Sequence, residues 1–109
     1  MSSTLETEVL QLHAEICAGL ADPNRIMILY ELSTGSKNVS ELCANLDMPQ
    51  PMASRHLKIL RERGMVTFER KGTVVEYSLS DDRLIKALDL LRAVLRDSLN
   101  RRAELADAI

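Results

Sequence analysis

Tryptophan is absent from this 109-residue chain, and aromatic residues make up only 3% of it. A core without large rings has to be built from Leu, Ile, Val, Ala and Met, a set that favours helices. Cysteine is also scarce. Cys17 and Cys43 lie far apart in helical surroundings, unlike the dense disulfide framework of a small secreted protein. No apolar run approaches the roughly 20 residues of a membrane span, so no membrane partner is expected. The stretch MSSTLETEVL has neither a basic n-region nor an apolar h-region. No signal peptide is therefore expected, and the chain is expected to be soluble and cytoplasmic. Gly-rich phosphate loops, paired-carboxylate motifs, internal repeats and low-complexity linkers are missing as well. With two histidines and two thiols available, a hydrolytic site is hard to assemble, and no enzyme is expected.

What is present is a mostly aliphatic chain, 46% hydrophobic and 28% charged, of a length that makes one domain, 1–109. A chain of this size buries a core only just, which leaves a role for a second copy. The formal net charge is -2. Yet Arg55, Lys58, Arg61, Arg63, Arg70 and Lys71 crowd into seventeen positions, against Glu62 and Glu69 alone.

The periodicity gives four helices, a hairpin and a helix. Leu5, Val9, Leu12, Ile16 and Leu20 form one stripe of a helix reaching Ala21, with Leu10, His13 and Cys17 beside it. So wide an apolar arc packs on two surfaces. Asp22 and Pro23 end that helix and start the next, as N-cap and first helical residue. Ser40 is the expected cap of a short third helix through Leu42, Cys43 and Leu46. The tight turn DMPQP leads into a fourth, from Pro51 to about Arg63, with Ala53, Leu57 and Leu60 inward and Gly64 as its stop. MVTFER and TVVEYSL read as two strands joined at Lys71–Gly72. Ser80 is the expected cap of a last helix whose stripe runs from Leu84 to Leu99, too long and too apolar for one small domain to cover.

The fold class expected is therefore mainly α with a β-hairpin wing: a homodimeric winged helix-turn-helix. Its helix-turn-helix spans 40–63, its wing 65–79, and its dimer helices lie near 5–21 and 81–107. Such a layout gathers the basic residues on one face of an acidic molecule. Affinity for double-stranded DNA depends on local Lys and Arg meeting phosphates, and an acidic remainder weakens non-specific adhesion. Solvated helix charges are the other reading, above all for Arg61 and Arg63 near a helix end.

LADPNRIMIL (20–29), VSELCANLDMPQPMASRHLKILRERGMV (39–66) and RKGTVVEYSL (70–79), in this order and spacing, resemble the ArsR family of small winged-helix repressors. The resemblance implies a homodimeric transcriptional repressor, released by an inducer, whose first and last helices form the interface and whose fourth helix enters the major groove. It implies DNA contacts from Gln50, Met52, Ser54, Arg55 and Lys58, and from a wing tip of Arg70, Lys71, Gly72 and Thr73. Gln and Arg suit bidentate pairing with adenine and guanine edges. His56 has two readings, a phosphate contact or a hydrogen-bonded anchor. Pro49 stands where the family often has a capping Ser, which shifts the expected start of the reading helix.

The family's thiolate site before the third helix resembles CVCDLC. Here the stretch is NVSELC, with Asn38 and Ser40 in the first two cysteine positions and Cys43 in the third. A second family site, on the last helix, needs histidines that this helix lacks. A thiol sensor made of Cys17 and Cys43, taking a thiophilic metal or metalloid ion, stands against the reading of both as small buried apolar residues. A constitutive DNA binder and a winged helix that docks a protein partner complete the alternatives.

Overall fold

A computed structural model describes residues 3–108, so residues 1, 2 and 109 of the expected domain lie outside the described residues. The first helix, α1 (Thr4–Leu12), starts at Ser3, whose hydroxyl accepts the Glu6 amide at 2.9 Å. The first helix does not run as an uninterrupted α-helix to the expected Ala21; it passes through a π turn and ends at Gly19. Residues His13–Cys17 form a π-helical turn, in which the Ala18 amide reaches back to the His13 carbonyl instead of to Ala14. Next comes α2 (Pro23–Leu32), with Pro23 in its first turn and the Asp22 carboxylate accepting the Asn24 amide at 2.8 Å.

The third helix, α3 (Val39–Leu46), is capped by Asn38 and not by the expected Ser40. Asn38 Oδ1 accepts the Glu41 amide at 2.8 Å while Glu41 Oε1 accepts the Asn38 amide at 3.0 Å. This reciprocal pair satisfies two orphan donors, where a serine hydroxyl satisfies one. Asp47, at φ 50°, turns the chain toward α4 (Gln50–Glu62). Pro49 occupies the N-cap with no side-chain hydrogen bond, so α4 begins one residue before the expected Pro51. Gly64, at φ 72°, ends it.

Strands β1 (Val66–Lys71) and β2 (Val74–Leu79) pair antiparallel, with Phe68 opposite Tyr77 and Lys71 opposite Val74. The two-residue loop is thus Gly72–Thr73, one position beyond the expected Lys71–Gly72. Gly72 takes the positive φ of 64° and Thr73 does not, the pattern of a type II′ turn. Lys37 adds a short third rung by exchanging backbone hydrogen bonds with Tyr77. Ser80 does not cap the last helix: its hydroxyl donates to the Gly64 carbonyl at 2.7 Å. The Asp81 carboxylate instead accepts the Arg83 amide at 2.9 Å, where α5 (Arg83–Ala108) begins.

The core is aliphatic: Ile28, Leu29, Leu32, Leu42, Ala53, Leu57, Leu60, Met65 and Val66, with Leu88 from α5. Tyr30 ties α2 to α5, its hydroxyl donating to Asp89 Oδ1 at 2.6 Å with the Arg92 guanidinium 5.3 Å above its ring. Beyond Leu88 nothing on α5 is buried, and α1 buries no residue at all. The radius of gyration is 17.2 Å, against about 13 Å for a compact chain of this length. The two terminal helices project from the core.

Candidate nucleic-acid interface

The helix α4 sorts its side chains by face. Ala53, His56, Leu57 and Leu60 are buried, while Gln50, Ser54, Arg55 and Lys58 are exposed on the other side. Met52 is half-buried and packs against the core. The same helix leads directly into the hairpin, where Arg70 and Lys71 at the end of β1 and the turn residues Gly72 and Thr73 are all exposed. The sequence-predicted polar readers and the residues of the wing tip are thus all exposed. Among the described residues Arg55, Lys58 and Arg70 form no ion pair. Lys71 differs, since its ammonium sits 3.4 Å from Glu76 Oε1 on the opposite strand.

The structure corrects the phosphate reading of His56, which is only 5% exposed. Its Nδ1 lies 3.4 Å from Arg25 Nη1 and its Nε2 4.0 Å from Asp22 Oδ2. An arginine can only donate, so Nδ1 accepts and the ring proton sits on Nε2, toward the carboxylate. Burial lowers the His56 pKa from its usual value; Asp22 opposes that shift, while Arg25 and Arg55 add to it. The ring is a neutral anchor between α4 and the start of α2.

Three arginines that sequence reasoning left without a function or as solvated charge are engaged. Arg61 places its guanidinium 5.1 Å over the Phe68 ring, bracing the wing against the end of α4. Arg63 donates to the carbonyls of Ala14 and Glu15. Arg25 donates to those of Gly19 and Ala18, at 2.8 and 3.2 Å. Nothing local in the sequence pointed to these contacts, because the accepting carbonyls become available only at the π turn, for Ala14, and at the end of the helix, for Ala18 and Gly19.

The thiols are separate and free. Cys17 is exposed, which corrects its reading as a buried apolar residue, and Cys43 is half-buried against the core. His13, beside the apolar stripe of the first helix, is exposed in the protomer. Asn38 serves as a helix cap, so the stretch before α3 does not fit a thiolate metal site. Among the described residues no three His, Cys, Asp or Glu side chains gather in a metal-binding group.

A short helix, a tight turn, a second helix with one polar face and a two-stranded wing define a winged helix-turn-helix. The model of the arsR family of bacterial regulatory proteins matches residues 22–67. The HTH-type transcriptional repressor SmtB of Mycobacterium tuberculosis is 44% identical over 77 residues, 71% of this chain and 57% of that protein. The HTH-type transcriptional regulator NmtR of the same organism is 34% identical over 88 residues, 81% of this chain and 73% of that one. The chain belongs to the arsR family. It spans little more than half the length of SmtB. A homodimeric winged helix-turn-helix DNA-binding domain from Mycobacterium bovis superposes with a TM-score of 0.77 at 25% identity, covering 92% of this chain and 93% of that one.

Proposed function

We propose that this chain is a transcriptional repressor that binds double-stranded DNA as a homodimer. Its operator is an inverted repeat with half-sites about one helical turn, roughly 34 Å, apart. The observation that carries the reading is the sorted surface of α4. Gln50, Ser54, Arg55 and Lys58 are exposed together on a helix held from behind by Leu57 and Leu60, and the hairpin that follows it in the chain carries Arg70 and Lys71 exposed. Met52 flanks that face, and Arg70, Lys71, Gly72 and Thr73 follow the backbone as a wing. The second copy covers the apolar stripes of α1 and α5. The domain found in the Mycobacterium bovis protein is homodimeric, which supports the same assembly here. The reading involves no catalytic step, and DNA as partner makes the cytoplasm the place of action.

The test is titration of the protein against a duplex selected from a random-sequence library and against an unselected one, at several salt concentrations. Affinity should fall steeply with salt on both. Arg55→Ala should lose about 1–3 kcal/mol on the selected duplex alone, while Lys58→Ala should weaken both alike. Equal losses for Arg55→Ala on both duplexes would remove it from the base readers. A protein-docking winged helix would bind neither duplex.

A second reading concerns release, and the exposure of Cys17 favours it. A thiophilic metal or metalloid ion, or an oxidant, acting at Cys17 and Cys43 would strain the first helix against the reading unit. The Cys17→Ser, Cys43→Ser variant should then hold DNA in arsenite, cadmium, zinc, persulfide and peroxide, where wild type lets go. Identical responses would leave a constitutive binder or a trigger elsewhere.

A further inference from the structure

The first helix and the reading helix meet through two guanidinium groups. Arg25 is only 12% exposed at its side chain, and it reaches three places at once: the carbonyls of Ala18 and Gly19, His56 on α4, and Asp22, 3.9 Å away. Arg63, at the C-terminal end of α4, takes the carbonyls of Ala14 and Glu15. In an α-helix the Ala14 carbonyl would accept the Ala18 amide. The π turn diverts that amide to His13 and leaves the Ala14 oxygen to the guanidinium. These carbonyls belong to the negative end of the helix, where a cation is favoured. The approach is close because of Gly19, where a Cβ would lie 2.6 Å from Met65 Sδ.

We infer that Arg25 and Arg63 are positioning residues that fix the angle between the first helix and α4. One attachment would leave a pivot. Two attachments, at His56 and at Arg63, lie seven residues or about 10 Å apart along α4 and remove that freedom. The proposal rests on the DNA-binding reading for its consequence: with the first helix in the dimer interface, this angle sets how far apart the two reading helices stand. Half-site spacing is then specified by residues that touch no DNA.

The experiment uses the full chain with Arg63→Ala and Arg63→Lys, the second keeping charge without a fork that spans two carbonyls. Both variants should remain dimers and keep wild-type affinity and salt slope on unselected duplex. On a duplex selected by the wild-type protein, both should lose on the order of tenfold, the scale of one charge-assisted hydrogen bond. Their penalty for adding or removing one base pair between half-sites should shrink. Without DNA, amide hydrogen exchange should speed up in residues 13–20 as well as 60–65. Equal losses on both duplexes, with a shallower salt slope, would make Arg63 a phosphate contact and overturn the proposal. So would unchanged affinity on the selected duplex. Exchange that rises only in residues 60–65 would overturn the clamp even if the protein bound no DNA, whereas failure of wild type to bind any duplex, with exchange rising in both segments, would sink the repressor reading and leave the clamp standing.

Discussion

Replacing Leu91 by glutamate tests the assembly most directly. Leu91 is 61% exposed in the protomer, so the substitution leaves the aliphatic core untouched. Full burial of a leucine side chain is worth about 1.5–3 kcal/mol. Docking adds at most the exposed fraction of that, about 0.9–1.8 kcal/mol per copy. A two-fold interface counts every residue twice, which gives about 2–4 kcal/mol per dimer before any repulsion between the two new carboxylates. The dissociation constant should rise roughly thirty- to a thousand-fold. Sedimentation velocity from nanomolar to tens of micromolar protein reads it, with far-ultraviolet circular dichroism confirming that helix content is retained. A wild-type chain that stays monomeric at micromolar concentration would refute the reasoning. So would a Leu91→Glu dimer whose constant moves less than about threefold.

Glu76→Gln should release Lys71 from its cross-strand pairing, tightening binding to selected and unselected duplexes alike; an unchanged salt slope would mean that Lys71 meets no phosphate. The folded protein holds a proton on His56 less well than the unfolded chain does. Stability should therefore be fully present above about pH 6.5 and fall as acid forces the buried ring to charge. His56→Gln should flatten this loss in thermal unfolding between pH 7.5 and 5.5. Gly19→Ala pushes a methyl against the buried Met65 and should cost about 1–3 kcal/mol in urea unfolding. Asn38→Ala should cost about 1 kcal/mol in the same assay, whereas Ser40→Ala should cost far less.

The elements that repeat a local signal were legible in the sequence. Apolar spacing alone located α2, α4 and α5, and Asp22–Pro23 marked its own junction. Where two local signals competed, the stronger hydrogen-bond pair won. Asn38 with Glu41 displaced Ser40, and Asp81 displaced Ser80, whose hydroxyl went to Gly64. The polar face of α4 followed from the same period that placed Leu57 inward. The anchor role of His56 was one of two readings of the sequence, but its partners and the role of Arg63 did not follow, since each depends on residues 31 to 49 positions away. The π turn was invisible for a related reason. Nothing in HAEIC disfavours an ordinary helix, and its diverted bond comes with guanidinium partners that arrive only on folding.

The last helix is also a lever. At 1.5 Å per residue, the stretch from Leu88 to its end extends about 30 Å beyond the last side chain it buries. A tilt of only about 5° at that fulcrum would carry the far tip about 2.5 Å. Conversely, a load on the tip is felt at Leu84, Ile85 and Leu88, which rest on the same core that backs the reading helix. An arm this long, seated at one end, makes its angle depend on whatever grips the other.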